Sequence, residues 1–421
     1  SNANSPEHQI VYVNEIQEYE NEQPPVMNDL TLAGLSLKAG RNFSQLDQLR
    51  CWLAEGIPVE RLHPNKQTAY ENSSATGPSN LLTDLVYYLL TNQMGGAGGL
   101  LGMTASDPFL VNKSDMEATS RFLYNQKLFF NGPITDRTNL RQFISDVAPY
   151  FLCNFVITDG KFSLKPAFPV NNLGQFNEGA VHIKQLFTEG NILEDSYKVE
   201  YLGGEERRTF QAIVRYRQEN PNKLPEEKAV TVKGTGGGFS DPRVELLPQE
   251  QFDLTRFCTS EHHAVMVAKY FISLRKLVTH TISFSTTLDG LNLAAGDYIK
   301  VATRSSPYSS ARNGTINAAG AVTSLTDFAD GQYRVNYFKA DSEDVQDGVM
   351  TVSNKTVSES TFANSVFAMI DDSVSQNVYV VEQLTFSQEG TVDIVASEHP
   401  CFSDGSSKLV DSIVNGSFKI F

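Results

Sequence analysis

Alternation of apolar and polar residues over long stretches is what most constrains this chain. In "HTISFSTTL" (280–288), Ile282, Phe284, Thr286 and Leu288 fall on one side, and Ser283, Ser285 and Thr287 on the other. A period of two predicts a strand with one buried face, because successive side chains of a strand point to opposite sides. "YVVEQLTFSQEGTVDIVAS" (379–397) repeats the scheme with Glu389-Gly390 at its turn, and Asp159-Gly160 joins the two runs of "NFVITDGKFSLKPAF" as a tight hairpin. "NILEDSYKVEYL" (191–202) and "RRTFQAIVRYRQ" (207–218) also alternate, and Gly203-Gly204 between them predicts an antiparallel pair. Asp289-Gly290 and Gly296-Asp297 supply further turns.

Helical spacing is confined to a few segments. "LLTDLVYYLL" (81–90) places Leu82, Leu85, Tyr88 and Leu89 on one side, and runs through Thr91-Asn92 into Gly95, Gly96, Gly98 and Gly99. Helices are also expected at 114–128 and in "TNLRQFISDVAPYF" (138–151). Another spans 259–278, with Ser260 or Thr259 as its cap, Glu261 in the first turn, Arg275 and Lys276 in the last, and Val267, Phe271, Leu274 and Val278 along one side. Nearer the start, a strand at 8–14 precedes a helix from Ser44 that ends at Gly56.

The expected fold is therefore α+β, mainly β: antiparallel barrel or sandwich domains with a small helical α/β module. Its expected parts are 1–75, a strand-helix segment; 76–172, the helical module with its hairpin; and 173–421, the β domains with the inserted helix 259–278. Ser1-Asn2-Ala3 reads as the scar of tag removal, so the chain is expected to be a piece of a longer protein. No apolar run approaches the roughly 20 residues of a membrane-spanning helix.

Composition narrows the chemistry. A formal charge of −15 argues against a surface made to hold nucleic acid, which needs Lys and Arg to displace phosphate counterions. Cys51, Cys153, Cys258 and Cys401 are too dispersed for a zinc clasp and are expected as free thiols.

Motifs of known chemistry fail on order or spacing. The glycines at 95–99 follow a helix, whereas a phosphate cradle needs them before one. "VKGTGGGFS" (232–240) lacks the ending of a P-loop and reads as a surface loop. Glu261-His262-His263 has adjacent histidines, which diverge by about 100° on a helix and cannot face one ion. "DSEDVQDG" (341–348) places Val345 where a calcium loop needs an oxygen ligand. The acceptor sequences at Asn313 and Asn354 would matter only in a secretory pathway. No catalytic, cofactor or metal residue is assigned, and no enzyme activity is expected.

The order of the segments resembles the central tail-tip protein of lambda-like phages, the host-specificity or baseplate-hub family. "PEHQIVYVNEI" with "LTLAGLSLKAGRNFSQLDQL" is similar to its early segment, and "LTDLVYYLLTNQMGGAG" to its helix ending in L-T-N and a glycine turn. "NLRQFISDVAPYFLCNFVITDGKFSLKP" resembles the following helix and hairpin. "HHAVMVAKYFISLRKL" with "TISFSTTLDGLNLAAGDYIKV", then "YVVEQLTFSQEGTVDIVASEH", resemble its later parts, with Ala295 where a proline is expected. The resemblance implies a homotrimeric ring that closes the tail tube, with tail-tube, distal-tail and tape-measure proteins as partners. It also implies DNA passing without specific binding, contact with the host surface through other regions, and a place in a virion tail assembled in the bacterial cytoplasm. The alternative weighed is a cell-wall polysaccharide-degrading enzyme, recognisable by a cleft with two carboxyls about 5 to 9.5 Å apart, one of raised pKa. A carbohydrate-binding β module would need exposed aromatic platforms, and the one tryptophan, Trp52, falls in an expected amphipathic helix.

Overall fold

A computed structural model divides the chain into Ser1–Ala54 and Glu55–Phe421. It describes residues 56–67, 75–93, 95–134, 139–158, 160–219, 225–235, 247–303, 312–324, 327–370, 377–387 and 390–421, all in the second unit. The expected strand at 8–14, the helix from Ser44 with Cys51 and Trp52, and residues 236–240 lie outside the described residues.

Strands β1 (Pro58–Glu60) and β2 (Thr76–Pro78) pair antiparallel across the 75/76 boundary read from the sequence. Helix α1 (Leu82–Thr91) follows, but its buried side differs from the expected one. Leu82, Val86, Tyr87 and Leu90 are buried together with Thr83, Asp84 and Thr91, whereas Leu85, Tyr88 and Leu89 are half-buried. The reason is polar. Asp84 accepts from Leu62 N at 3.0 Å and Ser79 Oγ at 2.6 Å, so these bonds draw the Thr83-Asp84 side against the first hairpin.

Asn92 caps α1, and the chain turns at once into the short helix α2 (Gly98–Leu101). Ala97 N donates to Leu89 O and Gly98 N to Asn92 O. A Cβ on Gly96 would lie 2.3 Å from Leu89 O, and one on Gly98 2.2 Å from Thr91 O. The glycines are thus needed for close backbone approach. Helices α3 (Lys113–Asn125) and α4 (Leu140–Val147) start on Asn112 and Asn139, whose side chains accept from Asp115 N and Gln142 N. The expected hairpin forms from β3 (Cys153–Thr158) and β4 (Lys161–Pro166), with Thr158 opposite Lys161.

The remaining elements are β5 (Gln185–Thr188), β6 (Lys198–Tyr201), β7 (Gln211–Gln218), β8 (Glu226–Gly234), β9 (Gln249–Asp253), α5 (Glu261–Leu277), β10 (His280–Thr286) and β11 (Tyr298–Ala302). Then come β12 (Asn313–Ile316), β13 (Val322–Thr323), β14 (Gly331–Lys339), β15 (Gln346–Ser353), β16 (Thr356–Val357), β17 (Ser365–Met369), β18 (Val378–Phe386), β19 (Val392–Glu398), α6 (Lys408–Val414) and β20 (Phe418–Ile420).

The fold is α+β and mainly β, with a half-barrel and a nearly closed barrel. An open six-stranded sheet has the order β5-β11-β18-β19-β10-β6, and a four-stranded sheet the order β20-β8-β7-β9. The other six-stranded sheet, β13-β12-β17-β14-β15-β16, curls until its ends meet. Ala321 bridges Thr356, and Val357 N donates to Gly320 O at 2.8 Å.

The expected pairing of 191–202 with 207–218 does not occur. β6 pairs with β10, whereas β7 pairs with β8 and β9 in another sheet. Alternation tells that each strand has a buried face, not which neighbour completes its ladder. Gly203 N bonds to Glu206 Oε2 in a wide turn that carries the chain between sheets.

One core joins α1, α3, β3 and β4 to the four-stranded sheet, α5 and α6. Because α5 is wedged inside it, its burial extends beyond the expected stripe to His263, Met266, Tyr270 and Ile272, while Phe271 and Leu274 are half-buried. Separate cores fill the open sheet and the closed barrel. β10 buries Ile282, Phe284 and Thr286 as its pattern predicts, but Leu288 is exposed, because the chain has already left the strand for a 3-10 turn at Leu288–Gly290.

Candidate functional site

A cleft of about 1470 Å³ runs between the β3-β4 hairpin, α5 and the outer end of β18 and β19. Phe155, Ile157, Phe252, Phe271 and Phe386 give it apolar walls, and Glu206, Glu250, Glu382 and Glu398 bring carboxylates. Lys165 of the hairpin ties the cleft together by an ion pair to Asp297 at 3.2 Å.

Three of these acids are already held, Glu206 by Gly203 N at 2.7 Å. Arg275 grips Glu250 with both terminal nitrogens, Nη2 to Oε2 at 2.9 Å, and its guanidinium lies 4.2 Å from the Phe210 ring centre. Glu398 accepts from Thr279 N at 2.7 Å and lies 3.4 Å from His280 Nδ1. Burial pushes the Glu398 pKa up, but the bonds from His280 and Thr279 outweigh it and hold the carboxyl below its ordinary value. His280 Nε2 in turn meets Tyr379 Oη at 3.0 Å, so carboxylate, imidazole and phenol form a buried polar line into the open sheet's core. Next to it, His399 is buried with its Nε2 unpaired and its ring edge-on to Tyr298 at 4.9 Å, and burial lowers its pKa to about 4.

Glycoside cleavage needs a carboxyl kept protonated beside the bond it breaks. Burial does raise Asp84, to about 6, and Asp115, but neither lines the cleft. Glu398 is shifted the opposite way and has its partners. The cleft thus sets apolar walls beside carboxylates that Arg275, Thr279 and Gly203 already bond.

The sequence candidates scatter. His262 Nε2 reaches Gln126 O at 3.0 Å on the surface, while His263 Nε2 reaches Tyr150 O at 2.7 Å in the core, where burial lowers its pKa to about 4. No group of three or more His, Cys, Asp or Glu among the described residues could hold a metal ion. Of the acidic stretch 341–348, Asp344 pairs with His182 at 2.9 Å, and Asp347 lies opposite Asn336 in the β14-β15 ladder. Cys153, Cys258 and Cys401 are free and buried, and burial raises the pKa of each. Val232, Lys233 and Gly234 end strand β8. Asn313 is buried in β12, and Asn354 takes φ +51° in a turn where its N–H donates to Asp330.

The Glu398–His280–Tyr379 line was not anticipated. His280 has the same parity as Ile282 and Phe284, so its burial is legible; its partners come from strands whose adjacency no local pattern encodes.

No protein-family model and no curated protein matches the chain. Among solved structures it is similar to a chain of the virion of a native gene transfer agent particle, at 9% identity over 75% of this chain and 47% of that one, TM-score 0.38. It is also similar to a tail protein from Neisseria meningitidis MC58, at 10% identity over 65% and 59%, TM-score 0.29. A third is the 43 kDa tail protein of prophage MuSo2 from Shewanella oneidensis, at 7% over 65% and 58%, TM-score 0.27. The structural neighbours are thus virion and prophage tail proteins, and the chain spans about half the length of the gene transfer agent chain.

Proposed function

We propose that this chain is a structural component of a phage tail, the hub of the tail tip, which assembles as a trimeric ring with neighbouring tail proteins, closes the tube, contributes to host attachment and lets DNA pass. The observation that carries this reading is the open six-stranded sheet. Its edge strand β6 leaves Lys198, Glu200 and Tyr201 exposed, with no strand on its outer side among the described residues, although the barrel brings its own ends together. An edge left open is a template for another strand, and a ring of copies uses such edges. The order of the sequence segments and the acidic charge, which disfavours adhesion to DNA, agree with that role. Nothing in the cleft favours the polysaccharide-cleaving alternative.

Light scattering across a concentration series, followed by electron microscopy of the particles, tests the proposal. A threefold ring with a central passage is expected. A monomer at every concentration, or a closed assembly without a passage, overturns it.

A further inference from the structure

Where the open sheet meets the closed barrel, alternation brings a lysine and an asparagine face to face. Ile299 and Val301 of β11 point into the open sheet's core, which turns Lys300 toward the barrel. Val335 and Tyr337 of β14 point into the barrel core, which turns Asn336 outward to meet it. Two residues further along each strand, Ala302 and Phe338 join Leu186 and Ala368 in a small apolar junction that excludes water. Lys300 and Asn336 are only 6% and 8% exposed. The lysine Nζ donates to Asn336 Oδ1, and Asn336 Nδ2 donates to the carboxylate of Asp347, its cross-strand partner on β15.

A buried ammonium is costly to keep, and burial lowers the pKa of Lys300 to about 8 against the opposing influence of Asp347 and the Cys401 thiol. About a tenth of the amine is therefore neutral at pH 7. Its nitrogen lies beside a carboxamide whose Nδ2 donates to the Asp347 carboxylate, a group able to relay a proton. Holding the reactants in this way replaces a bimolecular encounter by a local rearrangement, in which the amine turns from the carbonyl oxygen toward the face of its carbon.

We propose that Lys300 and Asn336 condense into an intramolecular isopeptide bond, with Asp347 as the proton carrier. The Nζ lone pair forms a bond to Asn336 Cγ while the carbonyl electron pair moves onto Oδ1. Asp347 accepts a proton from Nζ and delivers it to Nδ2. The carbonyl re-forms, the Cγ–Nδ2 bond breaks, and ammonia leaves. One amine and one primary amide give one secondary amide and ammonia, with no change of oxidation state. The product also abolishes a buried charge. It staples the open sheet to the barrel, restricting the unfolded chain as any cross-link does, and it stands independently of the tail reading.

Mass spectrometry of the denatured full chain, with a protease digest, tests this. The expected result is a mass lower by one ammonia and a branched peptide joining Lys300 to Asn336. Imides at Asn131-Gly132, Asn313-Gly314 or Asn415-Gly416 would also lose ammonia, so the branched peptide decides. Lys300→Arg and Asp347→Asn should each abolish it, and Asn336→Asp should form the same link with loss of water instead. If a variant fails to fold, the wild-type digest still decides. Separate Lys300 and Asn336 peptides with no branched species, after long incubation of folded wild-type protein, overturn the proposal.

Discussion

Both large sheets have six strands, yet one closes and the other stays open, and their interiors differ accordingly. The barrel's core is built from Ile316, Val335, Met350, Val352, Phe367 and similar residues, with Tyr337 its polar-tipped member. The open sheet buries the Glu398–His280–Tyr379 line behind an equally apolar set. Curling brings the outer strands of the barrel together at Ala321 and Thr356, and its strands devote one face to packing. An open sheet keeps an end where water, charge and partners can enter. The two regions thus differ in what they bury, apolar packing in one and a polar line beside an open edge in the other.

The largest effect should come from reopening the barrel. Gly320 takes φ +80° at the seam, and a Cβ there would lie 2.2 Å from Val357 O. Gly320→Ala combines left-handed strain, a backbone clash and loss of the Val357 N to Gly320 O bond, on the order of 4 kcal/mol together. Hydrogen exchange should show β13 and β16 losing protection while β18 and β19 keep theirs. A variant within about 1 kcal/mol of wild type would mean that the seam does not hold the barrel shut.

Acid should act on the other regions. His263 and His399 have folded pKa values of about 4 against 6.5 unfolded. The unfolded chain then binds protons first, so their contribution is complete above pH 6.5 and is lost as pH falls toward 4, about 3 kcal/mol for each. Asp84, raised to about 6, opposes them, because its folded form prefers the proton and gains stability as pH falls from 6 toward 3.8. Glu398, held below its ordinary value, adds a loss below about pH 4.5. The net expectation is a loss of about 3 kcal/mol between pH 7 and 4, seen first as lost protection in α5 and β18-β19, with β14-β15 spared. His399→Phe should remove about half of the histidine contribution, and equal loosening of both sheets would contradict the contrast.

Much of this architecture is legible in the residues. Parity alone buries His280, Ile282 and Phe284 of β10, and Asp159-Gly160 marks the β3-β4 hairpin. What failed shares one cause. The pairing of β6 with β7, the face of α1 and the stripe of α5 all depend on which element lies opposite, and side-chain bonds such as Asp84 to Leu62 N decide that from a distance in sequence. The same holds for the sites. Neither His280 and Glu398 nor Lys300 and Asn336 form a local motif, because each pair is made by ladders that bring separate strands together.

The smallest effect offers the sharpest comparison. Val349 on the outer side of the barrel is 56% exposed, and Tyr201 on the open edge is 60% exposed. Replacing either by serine removes apolar surface that is mostly wet already, so each should shift stability by no more than about 0.5 kcal/mol. Their consequences for assembly should part. Val349 is laddered to Arg334 of β14 in the sheet that curls shut, and Val349→Ser should leave the solution mass unchanged. Tyr201→Ser strips an aromatic side chain from an edge that has no further strand among the described residues, the kind of residue that carries interface energy, and should raise the concentration at which the oligomer forms. Equal behaviour of the two variants in light scattering would mean that the open edge is not where copies meet, and would move the search for the interface to the cleft.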